Sequence, residues 1–189
     1  MKPSQLVLIA VAGAAAVILA SCATSRSHPP LKTAGQSGRV DISRYAGHWY
    51  EQARLPNSFQ KDDASAEAHY ALLPDGTVQV VNTETRADGS RHTAKGKATA
   101  VPGSGNSRLR VKFEGLAALV PAAEEGNYWI IKLAPDYSVA LVGTPDRQFL
   151  WLLSRKQNLS AAEKASYLED ARGQGFDTSR LIHRDALRR

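Results

Sequence analysis

From about residue 40 to residue 155, short runs of the chain alternate between apolar and polar positions and are separated by turn-forming residues. In residues 108–114 the apolar side chains share one parity and the charged side chains share the other. This pattern is typical of a β-strand with one face buried and one face in water. Separators such as Pro74-Asp75-Gly76 are short enough to join neighbouring antiparallel strands. The alternation predicts eight strands, at residues 48–55, 66–73, 77–84, 91–101, 107–114, 127–134, 137–143 and 149–154.

The pattern changes to a helical one after the last strand. Ser160 stands at an N-cap position, Glu163 stands where a capping box needs an acid, and Gly173 follows as a stop signal. Eight up-and-down strands are the number that closes around one small ligand. The predicted fold is therefore all-β: an eight-stranded antiparallel up-and-down barrel with one C-terminal α-helix packed outside.

The N-terminal region has the layout of an export signal. Lys2 precedes a nearly continuous apolar run from residue 6 to residue 20, which is shorter than most membrane-spanning helices. The run ends in Leu19-Ala20-Ser21-Cys22, which resembles the lipobox of bacterial lipoproteins, where the cysteine is acylated and becomes the new N-terminus. We expect a signal peptide at 1–21, a flexible tether at 22–39 with acylated Cys22, and a folded domain at 40–189. An uncleaved anchor, a free thiol and an intermolecular disulfide are the alternatives for this region.

The net charge excludes few classes of function, and the distribution of charge leaves the role of the C-terminus open. The formal net charge is +6, and removal of the signal peptide lowers it to +5 because only Lys2 is charged there. Basic residues gather at the C-terminus, at Arg180, Arg184, Arg188 and Arg189. They form either a solvated chain end or a segment attracted to anionic lipid head groups. We expect no nucleic-acid partner for an exported chain.

Four segments carry a family resemblance. Gly47-His48-Trp49 at the start of the first strand, residues 144–147 before the last strand and Leu153-Ser154-Arg155 within it resemble, in order, the three signatures of lipocalins. Residues 175–182 are similar to the bacterial branch of that family. The resemblance covers residues 40–182 and implies three structural signature residues: Gly47 permits a close backbone approach, Trp49 plugs the closed end, and Arg155 lies across its ring.

The same alternation of apolar and polar positions predicts which side chains line the barrel cavity. Counting from an inward Trp49 places Glu51 and Ala53 inward, and several small residues leave room for a ligand. Glu51 is either a structural carboxylate paired near Arg155 or Tyr70, or a contact for the polar part of a ligand. The resemblance implies that the ligands are fatty acids or lysophospholipids. The expected cavity-lining residues are Glu51, Ala53, Ala66, Ala68, Tyr70, Leu72, Val80, Asn82, Val111 and Phe113.

The sequence favours a binding protein over an enzyme. It contains no nucleophile elbow, no zinc-binding H-E-x-x-H and no phosphate-binding glycine loop, and its five histidines show no metal-ligand spacing. We expect no catalytic residues, no metal and no cofactor. The expected function is that of a lipid-anchored protein of the bacterial outer membrane, facing the periplasm, which binds, stores or transports lipids. An envelope protein that acts through protein contacts, a lipocalin-fold enzyme and a homodimer remain open.

Overall fold

The computed structural model describes residues 29–115 and 124–188. Within them, nine strands form one antiparallel sheet in the order β2-β3-β4-β5-β6-β7-β8-β1-β9, and a further pairing of β1 with β2 closes the barrel. The eight predicted strands and the C-terminal helix are confirmed. The strands are β1 (Gly47–Arg54), β2 (Ser65–Leu72), β3 (Val78–Thr85), β4 (Arg91–Ala100), β5 (Arg108–Phe113), β6 (Tyr128–Leu133), β7 (Val139–Gly143), β8 (Leu150–Ser154) and the additional β9 (Ile182–His183).

Helices lie at both ends of the barrel sequence. Helix α1 (Ile42–Tyr45) precedes β1, and helix α2 (Ala161–Gly173) follows β8. The predicted capping box of α2 is present, because the Ser160 side chain accepts from the Glu163 N–H and the Glu163 side chain accepts from the Ser160 N–H. In the part of the chain that the structure describes, short 3-10 helices span Ala34–Gln36, Thr178–Arg180 and Arg184–Arg188.

The antiparallel order defines two ends of the barrel. We call the end with α1 and the loops at 73–77, 101–107 and 134–138 the closed end, and the end with the loops at 55–64, 86–90 and 144–149 the mouth. One hydrophobic cluster fills the barrel around Trp49. A second cluster, around Leu152 and Phe176, lies between the barrel wall and α2.

A β-bulge in β1 changes which side chains face the cavity. Glu51 pairs with Leu153 and Ala53 pairs with the next residue, Leu152, so that Gln52 is the extra residue. A bulge interrupts strict alternation, and Ala53 consequently joins the outer cluster beside α2. The prediction that Ala53 lines the cavity is therefore wrong, and Arg54 takes the inward position beside Glu51.

The N-terminal segment is more ordered than the sequence suggests. Leu31 is buried in the outer cluster, Thr33 accepts a hydrogen bond from the Ser107 hydroxyl, and the Pro29 carbonyl accepts one from Arg147 in a mouth loop. The flexible tether predicted for 22–39 thus does not include residues 29–36, because one apolar side chain within a polar stretch is enough to dock it. Cys22, the predicted signal peptide and the first tether residues lie outside the described residues.

The C-terminal segment is also docked against the barrel. Arg184 is only 6% exposed and donates to the carbonyls of Glu51 and Ala66, close to the point where the ladder between β1 and β2 ends. Lys164 of α2 holds the next residue, Asp185, by an ion pair. The predicted solvated or lipid-facing chain end therefore does not include Arg184, which is a structural clamp.

Candidate functional site

The closed end of the barrel is built around Trp49 and Arg155. The Trp49 ring is fully buried, its N–H donates to the Tyr45 carbonyl at 2.9 Å, and the Arg155 guanidinium lies 3.8 Å from the ring centroid. Arg155 also donates to the carbonyls of His48 and Ala46, each at 2.7 Å. Gly47 has a φ of +97°, and a Cβ there would lie 3.2 Å from Arg155 Nη1. All three signature residues thus serve to close and staple this end.

The hydroxyl groups of three tyrosines meet inside the barrel, next to the closed end. The Tyr128 hydroxyl lies 2.7 Å from the Tyr45 hydroxyl and 3.3 Å from the Tyr70 hydroxyl. Burial raises the pKa of Tyr70 to about 12 and raises the pKa of Tyr45 and of Tyr128 well above the usual value. All three therefore remain neutral hydrogen-bonding groups near neutral pH. The sequence reasoning identified only Tyr70 here, since α1 and β6 bring the other two from distant parts of the chain.

A small apolar pocket adjoins the tyrosines. Its volume of about 20 Å³ is close to the space that one water molecule needs. Of the predicted lining residues, Tyr70, Val80 and Val111 border it. The full lining consists of Ile42, Tyr45, Ala46, Tyr70, Val78, Val80, Ala98, Leu109, Val111 and Tyr128.

Other predicted lining residues lie on the inner wall outside this pocket. Asn82 of β3 pairs with Ala68 of β2, and Ala66 of β2 pairs with Glu84, nearer the mouth. Phe113 of β5 pairs with Gly96 of β4. Leu72 does not fit the prediction. It is 45% exposed, because β2 ends there at the closed end and turns into the hairpin to β3.

Asn82 is the one predicted lining residue with an unsatisfied polar atom. Its Oδ1 is buried and has no hydrogen-bond partner among the described residues. Its cross-strand neighbours are the small Ala68 and Ala94, whose side chains cannot form hydrogen bonds. A buried carbonyl without a partner is costly, so this position is one where a donor from a bound molecule would stabilise the protein.

A polar network occupies the mouth. Arg54 donates from Nη1 to Glu51 Oε1 at 2.7 Å, and Gln60 of the 55–64 loop donates to Glu51 Oε2 at 3.0 Å. Gln60 Oε1 in turn accepts from the Trp151 N–H at 3.2 Å. Burial raises the pKa of Glu51 while the Arg54 charge opposes that shift. Glu51 is thus a paired structural carboxylate, with Arg54 and Gln60 as partners instead of the expected Arg155 or Tyr70.

Aromatic side chains surround the same end. Phe59 is 57% exposed, and its ring lies 5.4 Å from that of Phe149 and 6.3 Å from that of Trp151, centroid to centroid. Phe149 and Trp151 stack at 5.9 Å. The network and these rings together attach the 55–64 loop to β1 and β8 at the mouth.

The described residues contain neither a metal-binding cluster nor a helix suited to cross a membrane. In residues 29–115 and 124–188, no three His, Cys, Asp or Glu side chains come together in a way that could hold a metal ion. Among the helices of those residues, none combines the length and the apolar character needed to cross a membrane.

The comparisons with known proteins agree with this architecture. Residues 40–186 match a family model described as a lipocalin-like domain. The chain is 39% identical to temperature-induced lipocalin-1 of Arabidopsis thaliana over 144 residues, which cover 75% of this chain and 77% of that protein. It is 32% identical to the outer membrane lipoprotein Blc of Escherichia coli K12 over 179 residues, which cover 94% and 96%.

Solved structures show the same fold at greater distance. Apocrustacyanin C2 superposes with a TM-score of 0.59 at 18% identity, covering 76% of this chain and 78% of that chain. At this identity the likeness extends to the fold alone.

Proposed function

This chain belongs to the lipocalin family, and we propose that it is an outer-membrane lipoprotein that binds fatty acids or lysophospholipids inside its barrel. In this proposal the protein stores or carries its ligand and catalyses no reaction. The outer-membrane location is supported by the similarity to proteins named outer membrane lipoprotein Blc. The alignment with the one from E. coli K12 covers 94% of this chain.

The small residues of the inner wall and the unpartnered Asn82 carbonyl carry the ligand proposal, and the free glycerol hydroxyl of a lysophospholipid is a donor that this carbonyl could accept from. A wall that packed only against itself would favour larger apolar side chains opposite β6–β8, and most of its buried polar atoms would have partners. Here the small Ala68 and Ala94 pair with Asn82, and Gly96 pairs with Val80, the next inward residue of β3. The inner wall is apolar toward the closed end and polar toward the mouth, as an amphipathic lipid requires.

Ligand entry requires a change in the mouth. Ligand pockets usually have volumes of about 300–1,000 Å³, whereas the pocket beside the tyrosines has about 20 Å³. The 55–64 loop is held by the hydrogen bonds of Gln60 to Glu51 and Trp151, and we infer that an entering acyl chain displaces this loop. Arg54 also donates to the carbonyls of Lys61 and Ala64, so that opening breaks the contacts of one loop but none of the strand pairings of the barrel wall.

Anchoring would come from Cys22. The lipobox resemblance makes this thiol the acyl acceptor. In bacterial lipoproteins the residue after the acylated cysteine influences sorting, and the resemblance implies that Ala23 at this position, instead of Asp, favours the outer membrane. More than one acyl chain makes such anchoring stable. The Cys22→Ser substitution in the full chain should move the protein from the membrane fraction to the soluble fraction of the cell, and persistence in the membrane fraction would contradict the anchor.

The ligand proposal is tested by filling the inner wall. Ala68→Leu adds bulk beside Asn82, whereas Ala71→Leu adds the same bulk on the outward face of the same strand. We expect lipid extracted from the purified wild-type protein to contain fatty acid or lysophospholipid, and binding to weaken at least about tenfold in Ala68→Leu only. Titration of tryptophan fluorescence with each lipid measures this. Absence of bound lipid and of any fluorescence response in the wild type would refute the proposal.

A further inference from the structure

On one wall of the barrel, the outward-facing charged side chains of the strands are all positive. On the outward faces of β3, β4 and β5 there is no Asp or Glu, since Glu84 of β3 points inward and is 7% exposed. Those faces carry six cations, which we call the basic wall: Arg91, Lys95, Lys97, Arg108, Arg110 and Lys112.

The basic wall accounts for the whole charge excess of the protein. The chain has 24 Lys and Arg against 18 Asp and Glu. Without the six wall residues, 18 cations would face 18 carboxylates. The rest of the chain therefore carries no net charge, and the basic wall is a cluster of charges of one sign on a single surface.

Two lysines at the centre of the basic wall work against the fold. Lys97 and Lys112 are direct cross-strand partners, and like charges in that position destabilise a sheet. Lys97 reaches Asp75 at 3.3 Å, but both side chains are more than half exposed, so that this pair contributes little. Arg108 lies 5.1 Å from the centroid of the Trp129 ring, and Arg110 donates to the Glu124 carbonyl at 2.8 Å. The two lysines have no such internal contact among the described residues, and their charges suit a negatively charged external partner.

The position of the wall and the predicted tether suggest which partner this is. Helix α2 covers β6–β8 on another side of the barrel, which leaves the basic wall free among the described residues. Pro29 is docked on the barrel, and Cys22 lies seven residues before it, a span of at most about 25 Å. An acyl chain on Cys22 would thus hold Pro29 within about 25 Å of a bilayer.

We propose that the basic wall docks on the anionic phospholipid surface of the membrane that carries the acyl anchor. The proposal rests on the anchored location proposed above, but not on the lipid that the barrel holds. Lys and Arg side chains contribute to such contact by attraction to the anionic head groups. Docking on this wall places β3–β5 on the bilayer and leaves α2 facing away from it.

The experiment uses a chain that starts at residue 23, so that no acyl group contributes. This chain keeps both hydrophobic clusters and the closed barrel, which lie within residues 29–188. We expect it to bind vesicles of phosphatidylglycerol and phosphatidylcholine but not vesicles of phosphatidylcholine alone, measured by co-sedimentation. Raising the salt from about 0.1 M to about 1 M should release it, because the Debye length falls from about 10 Å to about 3 Å.

Two double variants, each of which removes two positive charges, separate the effect of the basic wall from the effect of net charge. Lys97→Gln with Lys112→Gln should weaken vesicle binding about 25-fold, or about fivefold for each cation. Lys156→Gln with Arg180→Gln, on the α2 side, should leave it unchanged. Equal losses in the two variants, equal binding to both kinds of vesicle, or no binding by the wild type would each overturn the proposal. Fluorescence titration with lipid should be the same for both variants, so a failure of ligand binding is seen separately.

Discussion

Replacing Arg155 tests the closed end most directly, because one side chain joins α1, β1 and the Trp49 ring. Arg155→Ala removes hydrogen bonds to the carbonyls of His48, Tyr45 and Ala46 at 2.7–2.9 Å and the contact with the ring at 3.8 Å. At about 1 kcal/mol for each hydrogen bond and about 1 kcal/mol for the cation–π contact, the free energy of unfolding should fall by about 4 kcal/mol.

The matched variant is Arg155→Lys, which keeps the charge but not the planar guanidinium. A single ammonium cannot reach three carbonyls that converge from different directions, so we expect it to recover only about 1 kcal/mol, mainly through the ring contact. Urea unfolding followed by tryptophan fluorescence measures both variants. If Arg155→Lys were as stable as the wild type, or if Arg155→Ala cost less than about 1 kcal/mol, the guanidinium would not be the staple described above.

Two further predictions concern the mouth and the start of β1. Arg54→Met leaves Glu51 buried without its cation and should lower the free energy of unfolding by about 3–5 kcal/mol. Burial raises the pKa of Glu51, so the folded state binds a proton more readily than the unfolded state. The variant should therefore gain stability as the pH is lowered from about 7 to about 5. A variant whose urea midpoint does not rise on acidification would contradict this reasoning. Gly47→Ala places a Cβ at a φ of +97° and should lower the free energy of unfolding by about 1–3 kcal/mol, whereas Gly76→Ala, in an exposed turn with open space around it, should show only the backbone part of that loss.

The alternation of the sequence was sufficient for the strands but not for every inward residue. Ala68, Tyr70, Val80 and Val111 follow simple alternation because β2, β3 and β5 are regular. Ala53 does not, because the bulge at Gln52 shifts the pairing of β1 with β8. No local signal marks Gln52 as the extra residue; its place is fixed by the loop carbonyls of Lys156 and Gln157, to which its side chain donates.

Some site residues could not be grouped from the sequence at all. Tyr45, Tyr70 and Tyr128 lie in α1, β2 and β6, and only the closure of the barrel brings their hydroxyls together. The basic wall has the same origin. Its six cations are spread between residues 91 and 112, where the sequence showed ordinary polar positions, and the register of β4 with β5 makes them one surface.

The sequence by itself determined the all-β barrel, the C-terminal helix with its capping box, the lipocalin signatures and the lipobox resemblance. These features depend on local periodicity and on short motifs, which are written in contiguous residues. The tertiary structure decided the partners of Glu51, the docking of Leu31 and Arg184, the exposure of Leu72 and the grouping of the wall cations. Those features depend on strand register and on contacts between distant segments, and a single residue of bulge is enough to change them.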